Sequence, residues 1–244
     1  PAIKLMGLNE LSVRITPVIY GSLSVLLLYF LGRRLFKSDL VGLISALLLA
    51  ISPWHIQLTR ASFESSFDVF WIILGVWLLV KGFENRLWLV LSMVPLALAI
   101  YTYNSARVFV PIFLVALLWG YRAQLLKYPK QLLLSLLLFG LLLVPLVPFT
   151  LSQDANSRYK LVSVTDEAGL VPRVNEQRGL STLPDPLPRL IHNKITYISL
   201  SLARNYLAHF TPEFLFISGA PHRQHHVQNV GQMYLFQLPL LFIG

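Results

Sequence analysis

Between Ile15 and Leu151 the chain is a succession of apolar runs separated by short polar breaks. A run of about 20 apolar residues is what a helix needs to cross a bilayer, where no water is present to satisfy backbone N–H and C=O groups. This pattern limits the fold class to helices that satisfy their own backbone. Ile15 to Leu31 qualifies outright and is followed at once by Arg33, Arg34 and Lys37. Leu40 to Ile51 is short, and becomes a full span only with Pro53 to Ile56 as its interfacial end; a re-entrant segment is the rival reading. Phe67 to Val80, Leu87 to about Tyr101, Val108 to Trp119 and Leu132 to Leu151 complete six candidates, and Met233 begins a seventh. Pro95 lies inside one of them, which neighbouring helices can accommodate. Only 13% of residues are charged, against 55% apolar, roughly half the usual charged fraction of about a quarter.

The expectation is therefore an all-α, polytopic integral membrane protein. Residues 1–151 form the transmembrane region, 152–230 an extracytoplasmic loop segment, and 231–244 the start of a further span. Opening at Pro1 without Met and stopping at Gly244 in an apolar run, the chain reads as an internal piece of a longer one. Its net charge of +9 is explained by loops held on the cytoplasmic side, where Lys and Arg accumulate, so nucleic acid is not among the expected partners. There is no Cys, hence no disulfide framework or thiolate metal site.

Cationic residues orient the loops. One set carries Arg33, Arg34, Lys37, Lys81, Arg86, Arg122, Lys127 and Lys130, and the alternate short loops only Arg60 and Arg107. The first set is expected to be cytoplasmic. Ser52 to Ser66, Tyr101 to Arg107 and everything polar after Thr150 then share the outer face. Within 152–230, "LPDPLP" reads as extended chain, and Ile191, Ile195, Ile198 and Leu202 recur at helical spacing. That is an amphipathic helix for the membrane surface or for a small outer domain.

Three clusters can carry chemistry. In "SPWHIQLTRASFESS", Arg60 and Glu64 stand four apart, so on one helix they either pair with each other or present a guanidinium fork and a carboxylate to a ligand. His55 is either an interfacial side chain or a ligand contact, and Trp54 reads as interfacial. In "YTYNSARVFVP", Tyr101 and Tyr103 suit the interfacial belt. Arg107 abuts a span where cations are scarce, so an anionic lipid headgroup or a substrate phosphate is its expected partner. In "GAPHRQHHVQNVGQMY", His222, His225 and His226 fall at i, i+3 and i+4, a spacing that metals use, with a solvated loop as the alternative. Gly-rich phosphate loops, HExxH and GxSxG are absent from the sequence, so no nucleotide-dependent or serine-hydrolase chemistry is legible.

The ordered set "GLNELSVRITPVIYGSLSVLLLYFLGRRLF", "SPWHIQLTRASFESS", "YTYNSARVFVP", "NYLAHFTPEFLF" and "GQMYLFQLPLL" resembles bacterial GT-C membrane glycosyltransferases, relatives of protein O-mannosyltransferases and of the lipid A aminoarabinose transferase, over essentially the whole chain. The resemblance implies a helical-bundle enzyme of the plasma membrane. It would move a sugar from a polyprenyl-phosphate donor to a protein, lipid or glycan acceptor on the outer face. It places the catalytic acid in an outer loop ahead of Pro1, with Glu64 as an accessory. It also puts Arg60 and Glu64 near an Arg-to-acidic pattern, and Tyr103 and Arg107 at the lipid-phosphate end of the cavity. His225 falls in a loop some members use for a metal or substrate, so a divalent cation is a candidate cofactor. Two other readings stay open: a transporter or flippase for a lipid-linked or anionic substrate, and a non-catalytic glycolipid-binding subunit.

Overall fold

The computed structural model describes residues 2–150, 169–220 and 230–243. Among these every regular element is a helix. After a short α1 (Ala2–Met6) comes α2 (Glu10–Phe36), 27 residues long. It starts five residues before the expected span because Asn9 caps it: the Asn9 side chain accepts from the Ser12 N–H at 2.7 Å, and Ser12 Oγ accepts from the Asn9 N–H at 3.1 Å. This reciprocal box satisfies two of the donors a helix start leaves free. The helix ends at Lys37, which takes a left-handed conformation with φ 51°.

Ser38 caps α3 (Asp39–Ala50), which folds back along α2. The two helices approach closely at Gly42, where a Cβ would stand 2.8 Å from the Tyr29 carbonyl oxygen. Pro53 then opens α4 (Pro53–Arg60), bent 55° from α3. Next is α5 (Glu64–Lys81), which packs on α2 through Tyr20, whose ring lies 4.9 Å from both Phe67 and Phe70. Then follow α6 (Arg86–Leu91), α7 (Met93–Thr102), α8 (Ala106–Gly120), α9 (Arg122–Leu125), α10 (Pro129–Leu143) and α11 (Leu146–Thr150). The tightest packing lies between α5, α7, α8 and α10, around Leu79, Met93, Leu96, Val110 and Phe139.

The expected spans are realised unequally. Among the described residues α2 is the one helix long and apolar enough to cross a membrane, and α3 with α4 make a bent pair that qualifies only as a broken span or re-entrant loop. The stretch from Leu87 to Tyr101 is divided at Ser92 into α6 and α7, which places Pro95 in the first turn of α7, where its missing N–H costs no hydrogen bond. The break is chemically closed. The Leu89 carbonyl, freed of its helical partner, accepts from Ser92 Oγ at 2.6 Å and from Ser135 Oγ of α10 at 3.3 Å. The run from Leu132 likewise divides into α10 and α11. Beyond Met233 the chain forms a short 3₁₀ turn and α15 (Leu238–Ile243).

The cationic loops gather at one end of the bundle, and five of the eight cations there have a partner. Arg33 meets Asp39 at 2.9 Å and Arg34 meets Glu84 at 2.6 Å. The Lys81 ammonium lies 4.8 Å from the Trp77 ring and 4.2 Å from Trp88, Arg86 lies over Tyr128, and Arg122 over Trp119. In the second half, α12 (Leu170–Leu180) and α13 (Leu187–Ile191) precede α14 (Lys194–Ala208). The amphipathic helix thus begins at Lys194, capped by Asn193, and Ile191 belongs to the helix before it.

Gly42→Ala tests the α2–α3 contact. Its methyl group must displace backbone, so thermal unfolding in detergent is expected to show a loss of about 1–3 kcal/mol; an unchanged melting temperature would mean the two helices separate easily.

Candidate functional site

The end of the bundle opposite the cation clamps is built around α4. Ser52 and Pro53 stop α3 and turn the chain across α2, and α4 seats on α2 where Gly21 leaves room: a Cβ there would meet Thr59 at 2.7 Å. Being amphipathic, α4 presents different residues to each side. His55, Ile56, Thr59 and Arg60 face a groove of about 550 Å³ shared with α2, and Trp54, Leu58 and Ala61 face a second cavity of about 910 Å³.

The groove is apolar along Val18, Val25, Ala50 and Ile56, and carries two guanidinium groups, Arg14 and Arg60. Arg14 is held by Glu10 at 2.8 Å. Arg60 has no carboxylate partner among the described residues. His55 is 5% exposed; its ring is hydrogen-bonded to the backbone of Leu49, while Nε2 is buried without a partner, as is Thr59 Oγ1. Buried polar atoms left bare are uncommon in native structures and call for a ligand or water. The groove thus joins an apolar wall to two guanidinium groups.

Ala61–Phe63 interrupts the helix between Arg60 and Glu64. Ser62 has φ 59°, a conformation uncommon outside glycine, and α5 starts afresh at Glu64. The four-residue spacing therefore makes no helical ion pair, and no salt bridge joins the two residues. Arg60 lines the groove, whereas Glu64 lines the second cavity with Tyr103. The opposite wall there comes from far along the chain: His209, Phe214, Ala220 and Gln232.

Two other expected residues are placed apart from the groove. Tyr101 donates its hydroxyl to the Leu142 carbonyl at 2.6 Å and so ties α7 to α10. Arg107, at the start of α8, lies 5.3 Å from the Phe149 ring centroid, and its Nε is buried without a hydrogen bond. It lines neither cavity. His222, His225 and His226 lie outside the described residues, among which no group of three His, Cys, Asp or Glu side chains is placed to hold a metal.

Four residues with a place at this end were not singled out from the sequence. Arg14 reads as the surface partner of Glu10, four residues away. Thr59 has no pattern around it. His209 shows no spacing relation to Glu64. Asp68, whose Oδ1 is buried without a partner, did carry a signal: an acidic residue one position into an apolar run is costly unless used.

The described residues form an all-helical fold with one helix long and apolar enough to cross a membrane, and this end of it carries an apolar groove with two arginines. Residues 2–149 match the family described as dolichyl-phosphate-mannose-protein mannosyltransferase, and the chain belongs to that family, whose members are integral membrane glycosyltransferases. The match ends before residues 150–244, which the resemblance read from the sequence had also covered. Neither the curated proteins nor the solved structures contain a match.

Tyr101→Phe separates a packing role from a ligand role. Losing one hydrogen bond to a backbone carbonyl is expected to cost about 0.5–1.5 kcal/mol of stability and to leave sugar transfer unchanged at matched protein level. A fall in transfer at unchanged melting temperature would assign Tyr101 to the substrate.

Proposed function

We propose that the chain is part of a polytopic glycosyltransferase that moves a sugar from a polyprenyl-phosphate donor on the extracytoplasmic face of the plasma membrane. The observation that carries this reading is the groove between α2 and α4. Its apolar wall suits a prenyl chain, and Arg14 and Arg60 suit the phosphate. Arg107, which lines neither cavity but keeps a bare buried Nε, is a cation for a neighbouring anionic headgroup or for a phosphate outside the groove. The family's name supports a lipid-linked donor and a protein acceptor.

The chemistry follows from the charge that moves. The acceptor hydroxyl attacks the anomeric carbon, the bond from that carbon to the phosphate oxygen breaks, and the electron pair leaves with the polyprenyl phosphate. A carboxylate takes the hydroxyl proton, typically worth about 10² to 10⁴ in rate; in this reading Glu64 is an accessory to it. Negative charge grows on the departing phosphate, so a guanidinium already in position stabilises the transition state more than the ground state.

Membranes containing the full-length protein, given labelled polyprenyl-phosphate sugars, should transfer or hydrolyse at least one of them; absence of turnover with every donor would remove the reading. Arg60→Ala should lower turnover by about 10² to 10³, and Arg60→Lys should restore only part of it, because the planar fork is lost. The same pair at Arg107 decides its role: equal turnover for Arg, Lys and Ala at matched insertion makes it an interfacial anchor.

Sidedness rests on the cation asymmetry and is tested in this Cys-free chain by single-Cys labelling. An impermeant reagent applied from outside should react at positions 62 and 195 and not at position 34. The opposite pattern would turn the protein over.

A further inference from the structure

The cavity on the other face of α4 differs in chemistry from the groove. Among the described residues no Lys or Arg lines it, and Glu64 is the one charged side chain there. Aromatic rings from Trp54, Phe63, Tyr103 and Phe214 alternate with the polar groups of Glu64, His209 and Gln232. Its volume of about 910 Å³ falls within the roughly 300–1,000 Å³ of small-molecule sites.

Its origin differs too. Every residue lining the groove falls within the family-matched segment 2–149, whereas His209, Phe214, Ala220 and Gln232 lie outside it. Three of these are fixed by local structure. His209 Nδ1 lies 2.7 Å from the Asn205 carbonyl, an acceptor only, so Nδ1 carries a proton in that bond. The same ring meets Phe214 edge-on at 4.8 Å. Phe214 belongs to a π-helical turn, Glu213–Ile217, a rare geometry frequent at functional sites. The returning strand of chain is bound to that turn by Met233 N–H donating to the Leu215 carbonyl at 2.8 Å and Gln232 N–H to the Phe214 carbonyl at 3.4 Å.

A pyranose ring has two apolar C–H faces and an equator of hydroxyls, each both donor and acceptor. Aromatic faces cover the first; a carboxylate, an amide and an imidazole serve the second. A phosphate-bearing ligand would meet the Glu64 carboxylate, beside which no cation stands among the described residues. An extended peptide is commonly held through backbone hydrogen bonds along a strand edge, and no strand occurs among the described residues. We propose that this cavity is a carbohydrate-binding subsite that takes a neutral pyranose unit of a glycan acceptor. The proposal rests on the glycosyltransferase reading and specifies its acceptor. Arg60 and Ala61, adjacent in sequence, open onto the groove and the cavity respectively, so donor phosphate and acceptor sugar would meet around the turn at Ser62.

The test uses full-length protein in nanodiscs with four probes: cellobiose, maltose, chitobiose and a Ser/Thr-rich decapeptide. Saturation-transfer NMR should show magnetisation reaching the ring C–H protons of at least one disaccharide. Glu64→Gln and Phe214→Ala should each weaken that binding by about tenfold, as expected for one hydrogen bond to a charged group or one stacking face. Arg33→Gln, at the cationic end, should leave it unchanged. Binding of none of the disaccharides overturns the proposal, as does binding of the peptide alone with the same sensitivity to Phe214→Ala. Donor turnover measured on the same samples keeps the two readings apart. Disaccharide binding without turnover of any donor removes the transferase and leaves the sugar site, whereas donor turnover onto the peptide without disaccharide binding does the reverse.

Discussion

The 55° bend between α3 and α4 is the constraint on which the rest of this end depends. A straight continuation past Ile51 would carry His55, Thr59 and Arg60 away from α2. Instead Pro53, which cannot extend α3 but is well suited to open a new helix, turns eight residues back across the bundle end. Gly21 admits them, and Arg60 is returned to the side of Arg14. One short helix thereby becomes a wall with a separate cavity on each face, and its last turn is the passage between them.

The two ends of the bundle differ in how completely their polar groups are satisfied. At the cationic end, ion pairs and aromatic rings take up most of the charges, each such pair individually worth little at a surface but together fixing the helix ends. At the other end His55 Nε2, Thr59 Oγ1, Asp68 Oδ1 and Arg107 Nε are all buried and bare. A fold that satisfies the Leu89 carbonyl twice over can close its polar groups where nothing else claims them. Local rules broken at one place and kept elsewhere mark where function displaces stability.

Much of the fold was legible because it follows from apolar periodicity. The helical class, the apolar body of α2 and the helix through Ile195, Ile198 and Leu202 all came from residues acting within a turn or two of their own position. Span lengths did not. The break at Ser92 is made tolerable by Ser135, more than forty residues away, and no local signal announces such a partner. Arg60 and Glu64 were read together from their four-residue spacing, but their separation into two cavities hangs on Ser62 adopting a left-handed conformation that neither Gly nor Asn advertises. Arg14 was hidden by a spacing that reads as a surface pair. The wall made by His209, Phe214 and Gln232 was beyond any periodicity, because it meets Glu64 only through tertiary packing.

One dimension of α5 bears on how such a protein responds to its surroundings. Its 18 residues span about 27 Å at 1.5 Å per residue, close to the roughly 30 Å of bilayer hydrocarbon. Glu64 stands at one end, and Lys81, its ammonium between the Trp77 and Trp88 rings, stands at the other. Were α5 to stand across a bilayer, its fixed length would tie the depth of Glu64 to that of Lys81: a thicker bilayer would draw one of these charges toward hydrocarbon, and a thinner one would lift it into water.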